Sequence, residues 1–142
     1  MRFSERIRQY IKNPSRLIPA FVVMLLIFIH SAMPADLSSK ESGWFVDAFA
    51  RIFPFLTSTE ILTFLIRKAA HFTEYMLLGL SLRWGIEKSL PALSAGILYA
   101  VLDEIHQAFV PGRSCELRDI CIDAAGVLAG VLLMLLLLRR RK

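Results

Sequence analysis

The chain has 142 residues, is 56% hydrophobic and 20% charged, and carries a formal net charge of +5. A soluble domain of this size has too much surface to cover with so few charges, and the chain is too short for a membrane region plus a separate soluble domain. The cations do not point to nucleic acid either. Arg2, Arg6, Arg8, Lys12 and Arg16 precede the first apolar run, Arg139, Arg140, Arg141 and Lys142 follow the last, and no basic patch is interleaved with stacking aromatics.

Basic clusters beside apolar runs are the mark of cytoplasmic flanks of membrane spans. Residues 4–12, SERIRQYIK, place Ile7, Tyr10 and Ile11 on one helical face, which suits a short helix on an anionic membrane surface. Asn13-Pro14 ends it. The first span is expected at 17–33, which holds no Asp, Glu, Lys or Arg. Its basic start and the small residues of SAMPA also resemble a signal peptide, but Met33-Pro34 spoils the cleavage site, and an uncleaved span is the expectation.

In GWFVDAFARIF, residues 43–53, Trp44, Phe45, Ala48, Phe49, Ile52 and Phe53 share a face opposite Asp47 and Arg51. That pattern predicts an amphipathic helix, either lying in the outer interface on its aromatic residues or packed as a loop helix. TSTE at 57–60 has capping-box spacing, so a long helix should follow, with the second span at 66–85. A short turn at Glu87-Lys88-Ser89 leads to the third span at 91–110, and VPGRSCELR turns the chain into the fourth at 119–138. The expected fold is all-α: a polytopic four-helix transmembrane bundle, one domain over 1–142, with both helices outside the spans as accessories. Four spans put both basic termini on one side, the cytoplasm. Cys115 and Cys121 stand six apart with no metal spacing, and free thiols are expected.

This topology brings the polar residues to one depth. Lys68, His71 and Tyr75 form one stripe of the second span, with Glu74 beside it. Asp103, His106 and Gln107 share a face at the outer end of the third, and Glu104 points away from it. Arg113 and Arg118 lie in the outer turn, and Asp119 and Asp123 open the fourth span. An ionised group in lipid costs about 2.5–3.5 kcal/mol, so such groups turn inward and pair. An outward polar pocket is the expectation, with helices brought close by Gly79 and the GVLAG step at 126–130. The competing reading is that these side chains staple helices together. It is the better account of any one residue, and the weaker account of the whole collection.

The stretches KAAHFTEYMLLGL and DEIHQAFVPGRSCELRDICIDAAGVLAG, spanning 68–130, strongly resemble the VanZ-like family of small bacterial membrane proteins. The family pattern falls here on Lys68, His71, Phe72, Glu74, Tyr75, Asp103, Glu104, His106, Gln107, Pro111, Gly112, Arg113 and Asp119. Asp123 departs from it, since the family often has Asn there. The resemblance implies a multi-pass protein of the bacterial cytoplasmic membrane, related to susceptibility to the glycopeptide teicoplanin, with no settled reaction.

Two functions stay open. In the first, the pocket handles a lipid-linked or peptidoglycan-related ligand as an enzyme or binder. His71, Glu74, Asp103 and His106 are then the candidate acid and base groups. Lys68, Tyr75, Glu104, Gln107, Arg113, Asp119 and Asp123 are the candidate ligand contacts, with Arg113 holding a phosphate or carboxylate. No cofactor is expected, although a divalent metal on His71, Glu74, Asp103 and His106 is the minority alternative. Expected partners are membrane lipids and a lipid-linked cell-wall precursor or glycopeptide antibiotic. In the second, the chain is a non-enzymatic interaction or transport module whose polar residues fix helix packing or pass a proton or solute.

Overall fold

The computed structural model describes residues 11, 13–34, 37, 43, 48, 51 and 59–140. Among these there is no strand. The helices are α1 (Ile18–Ser31), α2 (Thr59–Gly85), α3 (Ser89–Gln107) and α4 (Leu117–Arg139). The interfacial helix expected at 4–12 lies outside the described residues apart from Ile11. The helix expected at 43–53 does so apart from Gly43, Ala48 and Arg51, each of which is helical. Thr57, the expected capping residue of α2, lies outside them too.

Asn13 caps the turn that leads into α1. Its Oδ1 accepts from the Ser15 amide at 3.2 Å and the Ser15 hydroxyl at 2.7 Å, and a 3₁₀ turn over Pro14–Leu17 runs into α1. The α2–α3 connection is closed by Arg83, which donates to Ser89 Oγ at 3.1 Å and to the Ile86 carbonyl at 3.2 Å. Between α3 and α4 the Arg113 amide donates to the Val110 carbonyl at 3.1 Å across Pro111-Gly112. Gly112 has φ 73°, the left-handed value that the residue after the turn proline requires.

The four helices run alternately up and down. Arg16 stands 6.0 Å from the Trp84 ring, so the start of α1 meets the end of α2. At the opposite end Ser31 meets Asp103, and Lys68 meets Asp119. α2 is the central helix, and its most extensive partner is α4. Backbones approach closely along that seam: a Cβ on Gly130 would lie 2.0 Å from the Met76 carbonyl oxygen, and one on Gly79 would lie 2.2 Å from that of Val127. The apolar core of Ile27, Tyr75, Leu78, Leu82, Ala100 and Val127 fills the middle of the bundle.

Burial is inverted relative to a soluble protein. Asp103, Glu104 and Asp123 are buried, while Phe109, Leu117, Leu90 and Phe21 are exposed. In water this arrangement would both bury charge and leave a continuous apolar exterior exposed. Two segments, Pro14–Ser31 and Leu117–Arg139, are long and apolar enough to cross a membrane. Only 17% and 33% of their windows are buried, so neither is the packed core helix of a soluble domain. α2 and α3 do not meet the same test, because both carry the charged residues described next.

Candidate functional site

The polar residues gather at the end of the bundle that holds the C-termini of α1 and α3, the first half of α2 and the N-terminus of α4. They form two hydrogen-bonded networks with a His–carboxylate pair between α2 and α4.

The first network centres on Asp103. Its Oδ2 accepts from Ser31 Oγ at 2.7 Å, Gln107 Nε2 at 3.0 Å and Tyr75 Oη at 3.1 Å, which ties α1, α2 and α3 to one oxygen. Gln107 and Asp103 meet because they stand one helical turn apart. Tyr75 is 0% exposed and Asp103 is 4% exposed, so these donors have no water to turn to. Arg113 extends the network. Its Nη1 donates to Gln107 Oε1 at 3.2 Å, its Nε to the Met33 carbonyl at 2.9 Å and its Nη2 to the His30 carbonyl at 3.1 Å. A cation here complements the dipole at the C-terminus of α1. Burial first, and then the neighbouring Arg67, push the Arg113 guanidinium below its ordinary range.

The second network lies where α2 meets the start of α4. Lys68 Nζ donates to Asp119 Oδ2 at 2.5 Å, and Arg118 Nε lies 3.6 Å from Asp119 Oδ1. Arg118 also pairs with Glu116 at 2.6 Å. Glu104 departs from the Asp103 face as its helical position dictates, and its Oε1 accepts the Glu116 amide at 2.9 Å. That bond holds the N-cap of α4 against α3.

His71 Nδ1 lies 3.8 Å from Asp123 Oδ1, and His30 Nδ1 lies against Glu74 Oε1. The second pair is hydrogen-bonded and able to exchange a proton, whereas the first is at ion-pair distance only. The His30–Glu74 pair is the more accessible, with His30 53% and Glu74 21% exposed. His106 stacks on Phe28 at 4.8 Å between ring centroids, with its Nδ1 buried and without a hydrogen bond. Asp103 Oδ1, Glu104 Oε2, Asp119 Oδ1 and both carboxylate oxygens of Asp123 are also buried without one. Buried polar atoms are nearly always satisfied, so this concentration sets the polar end apart from the rest of the bundle.

The predicted residues are thus brought to one end but divided among partners. Asp103, Tyr75, Gln107 and Arg113 are one unit; Lys68, Asp119 and Glu104 belong to another; His71 faces Asp123. The four residues considered as metal ligands go to different neighbours: His71 to Asp123, Glu74 to His30, Asp103 to Tyr75 and His106 to Phe28. Among the described residues no group of three or more His, Cys, Asp or Glu converges as a metal site. Cys115 and Cys121 are free and exposed.

Four participants were absent from the sequence-based set: His30, Ser31, Arg67 and Glu116. A legible signal existed for the first two. His30-Ser31 closes an apolar span whose far end, by the same topology, lies level with Asp103. A cleft of about 220 Å³ opens beside the second network, lined by Phe64, Arg67, Lys68, Arg113, Arg118 and Asp119 among others.

No curated protein and no solved structure matches the chain. The family model described as VanZ/LLP1 matches residues 17–138, a stretch that holds every residue of both networks and all of the helices but Arg139. On that match the chain belongs to the VanZ/LLP1 family and is a VanZ-like protein.

Proposed function

We propose that the chain is a four-span protein of the bacterial cytoplasmic membrane, with both termini cytoplasmic and the polar end opening outward. It acts in the cell envelope on or near a lipid-linked or peptidoglycan-related ligand, and thereby bears on glycopeptide (teicoplanin) susceptibility. The observation that carries this reading is the set of buried carboxylate oxygens without hydrogen bonds on Asp103, Glu104, Asp119 and Asp123, all at one end of the bundle. Burying ionisable groups at membrane depth is costly, and simple stapling would leave no orphans. α2 and α3 supply the two further spans: their apolar halves face the same exterior as α1 and α4, while their charged halves turn inward. The Arg16 and Arg139 ends of the bundle lie together, as the positive-inside rule requires of a cytoplasmic face.

Orientation is checked with Cys115, which is exposed in the turn at the polar end. In a Cys121→Ser background, a membrane-impermeant maleimide is expected to label Cys115 in intact cells. Labelling that appears only after permeabilisation would reverse the orientation. Function is checked with single Ala substitutions at Lys68, His71, Glu74, Asp103, His106 and Arg113, scored for membrane abundance and teicoplanin sensitivity. At least one variant of normal abundance should sensitise cells. Normal abundance with unchanged sensitivity in all six would remove this end of the bundle from the function.

A second reading, that the polar residues serve helix packing in a non-enzymatic module, is favoured by Asp103 and Arg113 in particular. Their contacts join three helices and engage each of Arg113's three nitrogens in one hydrogen bond. A solute path is disfavoured by the bundle's other half, where Leu78, Leu82, Val127 and Val131 fill the core.

A further inference from the structure

The cleft beside the second network is strongly cationic. Arg67, Lys68, Arg113 and Arg118 line it, against the carboxylates of Glu116 and Asp119. Lys68 and Arg118 share Asp119, Arg118 also pairs with Glu116 through Nη2, and Arg113 gives three of its five N–H donors to carbonyls and Gln107. Arg67 is left over. It is half-buried, it lies near enough to Arg113 for the two guanidiniums to repel, and among the described residues no carboxylate is within ion-pair distance of it. Arg118 and Lys68 are stacked over one ring, at 4.9 Å and 5.3 Å from the centre of Phe64, so their charges are held at the cleft wall. Concentrating like charge around an open volume is unfavourable until an anion fills it.

Depth and size narrow the anion. α4 has 23 residues and is about 35 Å long, close to the roughly 30 Å of a bilayer's hydrocarbon core. Asp119 and Arg118, in its first turn, therefore lie at headgroup level. The cleft volume of about 220 Å³ is below the roughly 300–1,000 Å³ of pockets for drug-sized ligands, so it holds one compact charged group and not a whole glycopeptide or muropeptide. Guanidinium groups match the tetrahedral oxygens of phosphate through paired N–H donors.

We infer that the cleft formed by Arg67, Lys68 and Arg118 binds a phosphate or pyrophosphate group at the membrane surface, with Arg67 and Arg118 as the anion clamp. Arg113 is a positioning residue that shapes the wall without giving up its own hydrogen bonds. This inference rests on the outward, envelope-facing reading above and names the ligand chemistry of that same end.

The test uses the full chain in phosphatidylcholine nanodiscs, with binding followed by the shift in Tm on adding a polyisoprenyl monophosphate, the matching polyisoprenyl alcohol, or inorganic pyrophosphate. The phosphorylated lipid is expected to raise Tm and the alcohol is not. Arg67→Gln and Arg118→Gln should each weaken phosphate binding by about tenfold or more, the loss of one charge-assisted contact. Arg140→Gln, at the opposite end, should not change it. Competition by pyrophosphate assigns the recognised group to either a lipid or a free source, and its absence assigns it to a lipid headgroup; both support the clamp. Equal response to phosphate and alcohol, or unchanged binding in Arg118→Gln, whose side chain is 57% exposed and tolerant of replacement, overturns it. The two readings fail separately. Arg67 and Arg118 variants that lose phosphate binding yet leave teicoplanin sensitivity unchanged retain the clamp and remove the envelope role. Phosphate indifference alongside sensitised pocket variants does the reverse.

Discussion

Asp103→Ala is expected to remove most of the folded protein from the membrane, whereas Asp103→Asn should retain it. One oxygen of Asp103 accepts from Ser31, Tyr75 and Gln107, so its loss strands three donors contributed by three helices. At the modest value found for polar pairs within membranes, about 0.6 kcal/mol each, the loss is roughly 2 kcal/mol. At the value for a buried donor left unpaired, about 1–3 kcal/mol each, it exceeds 3 kcal/mol. Either figure is a large fraction of a stability of about 5–15 kcal/mol. The effect should reach further than the three bonds. Gln107, freed from Asp103, also holds Arg113, and Arg113 holds the C-terminal carbonyls of α1. Asn keeps an acceptor oxygen where Oδ2 stands, and places its amide where Oδ1 already lacks a partner. Membrane abundance and melting in detergent decide the matter. An Asp103→Ala protein that accumulates and melts like the parent would show that α1 is held by its apolar contacts alone.

That hub was only half legible in the sequence. Tyr75 and Asp103 could be placed at one depth because span order and helical phase are periodic properties that a single chain displays. The same argument has Lys68 balance a carboxylate of another helix without saying which, and it is Asp119; Gly79 and GVLAG read as close-packing surfaces, and the structure joins them along the α2–α4 seam. His30 and Ser31 close an apolar run and neither carries a fixed charge, so only the order of the spans marks them. Arg113 shows a deeper limit. Its partners at Met33 and His30 are backbone carbonyls at a helix end, and no side-chain pattern records which carbonyls a distant guanidinium will reach. A guanidinium in a Pro-Gly turn therefore reads as a ligand-holder although three of its five N–H donors go to the protein itself. Arg67 is the opposite case. In sequence it is one more basic residue beside Lys68, and its importance appears only once the neighbours that might neutralise it are seen to be occupied. Glu104 was placed off the Asp103 face by phase alone, but its buried bond to the Glu116 amide depends on the geometry of the intervening turn. By composition two segments are apolar enough to cross a membrane. α2 and α3 carry the polar end, so the residues that form the site are the same ones that keep these helices from reading as plain apolar spans.

Gly130→Ala should be as damaging as the loss of a buried side chain, although it adds one methyl group. The new Cβ would lie 2.0 Å from the Met76 carbonyl oxygen and 2.6 Å from the Leu80 amide nitrogen. Both obstacles are backbone on α2, so no rotamer change relieves them and the helices must part. The seam cannot yield at one point alone, because Gly126 sits under the Phe72 carbonyl with a virtual Cβ at 2.5 Å, and Gly79 sits under that of Val127. Overpacking costs about 1–3 kcal/mol where side chains can adjust, so about 3 kcal/mol is the expected minimum here. The gain of about 1 kcal/mol from replacing Gly by Ala within a helix opposes this and does not offset it. Parting α2 from α4 also lengthens the Lys68–Asp119 contact and the His71–Asp123 separation, which cross the same interface. Gly130→Ala should therefore lower Tm and, in whatever protein survives, weaken the phosphate response through Lys68. Gly43→Ala, where an added Cβ meets nothing within 4 Å, is the control and should leave both unchanged. If Gly130→Ala melts like the parent, α2 and α4 do not approach at this distance, and the polar end they jointly build would have to be assembled differently.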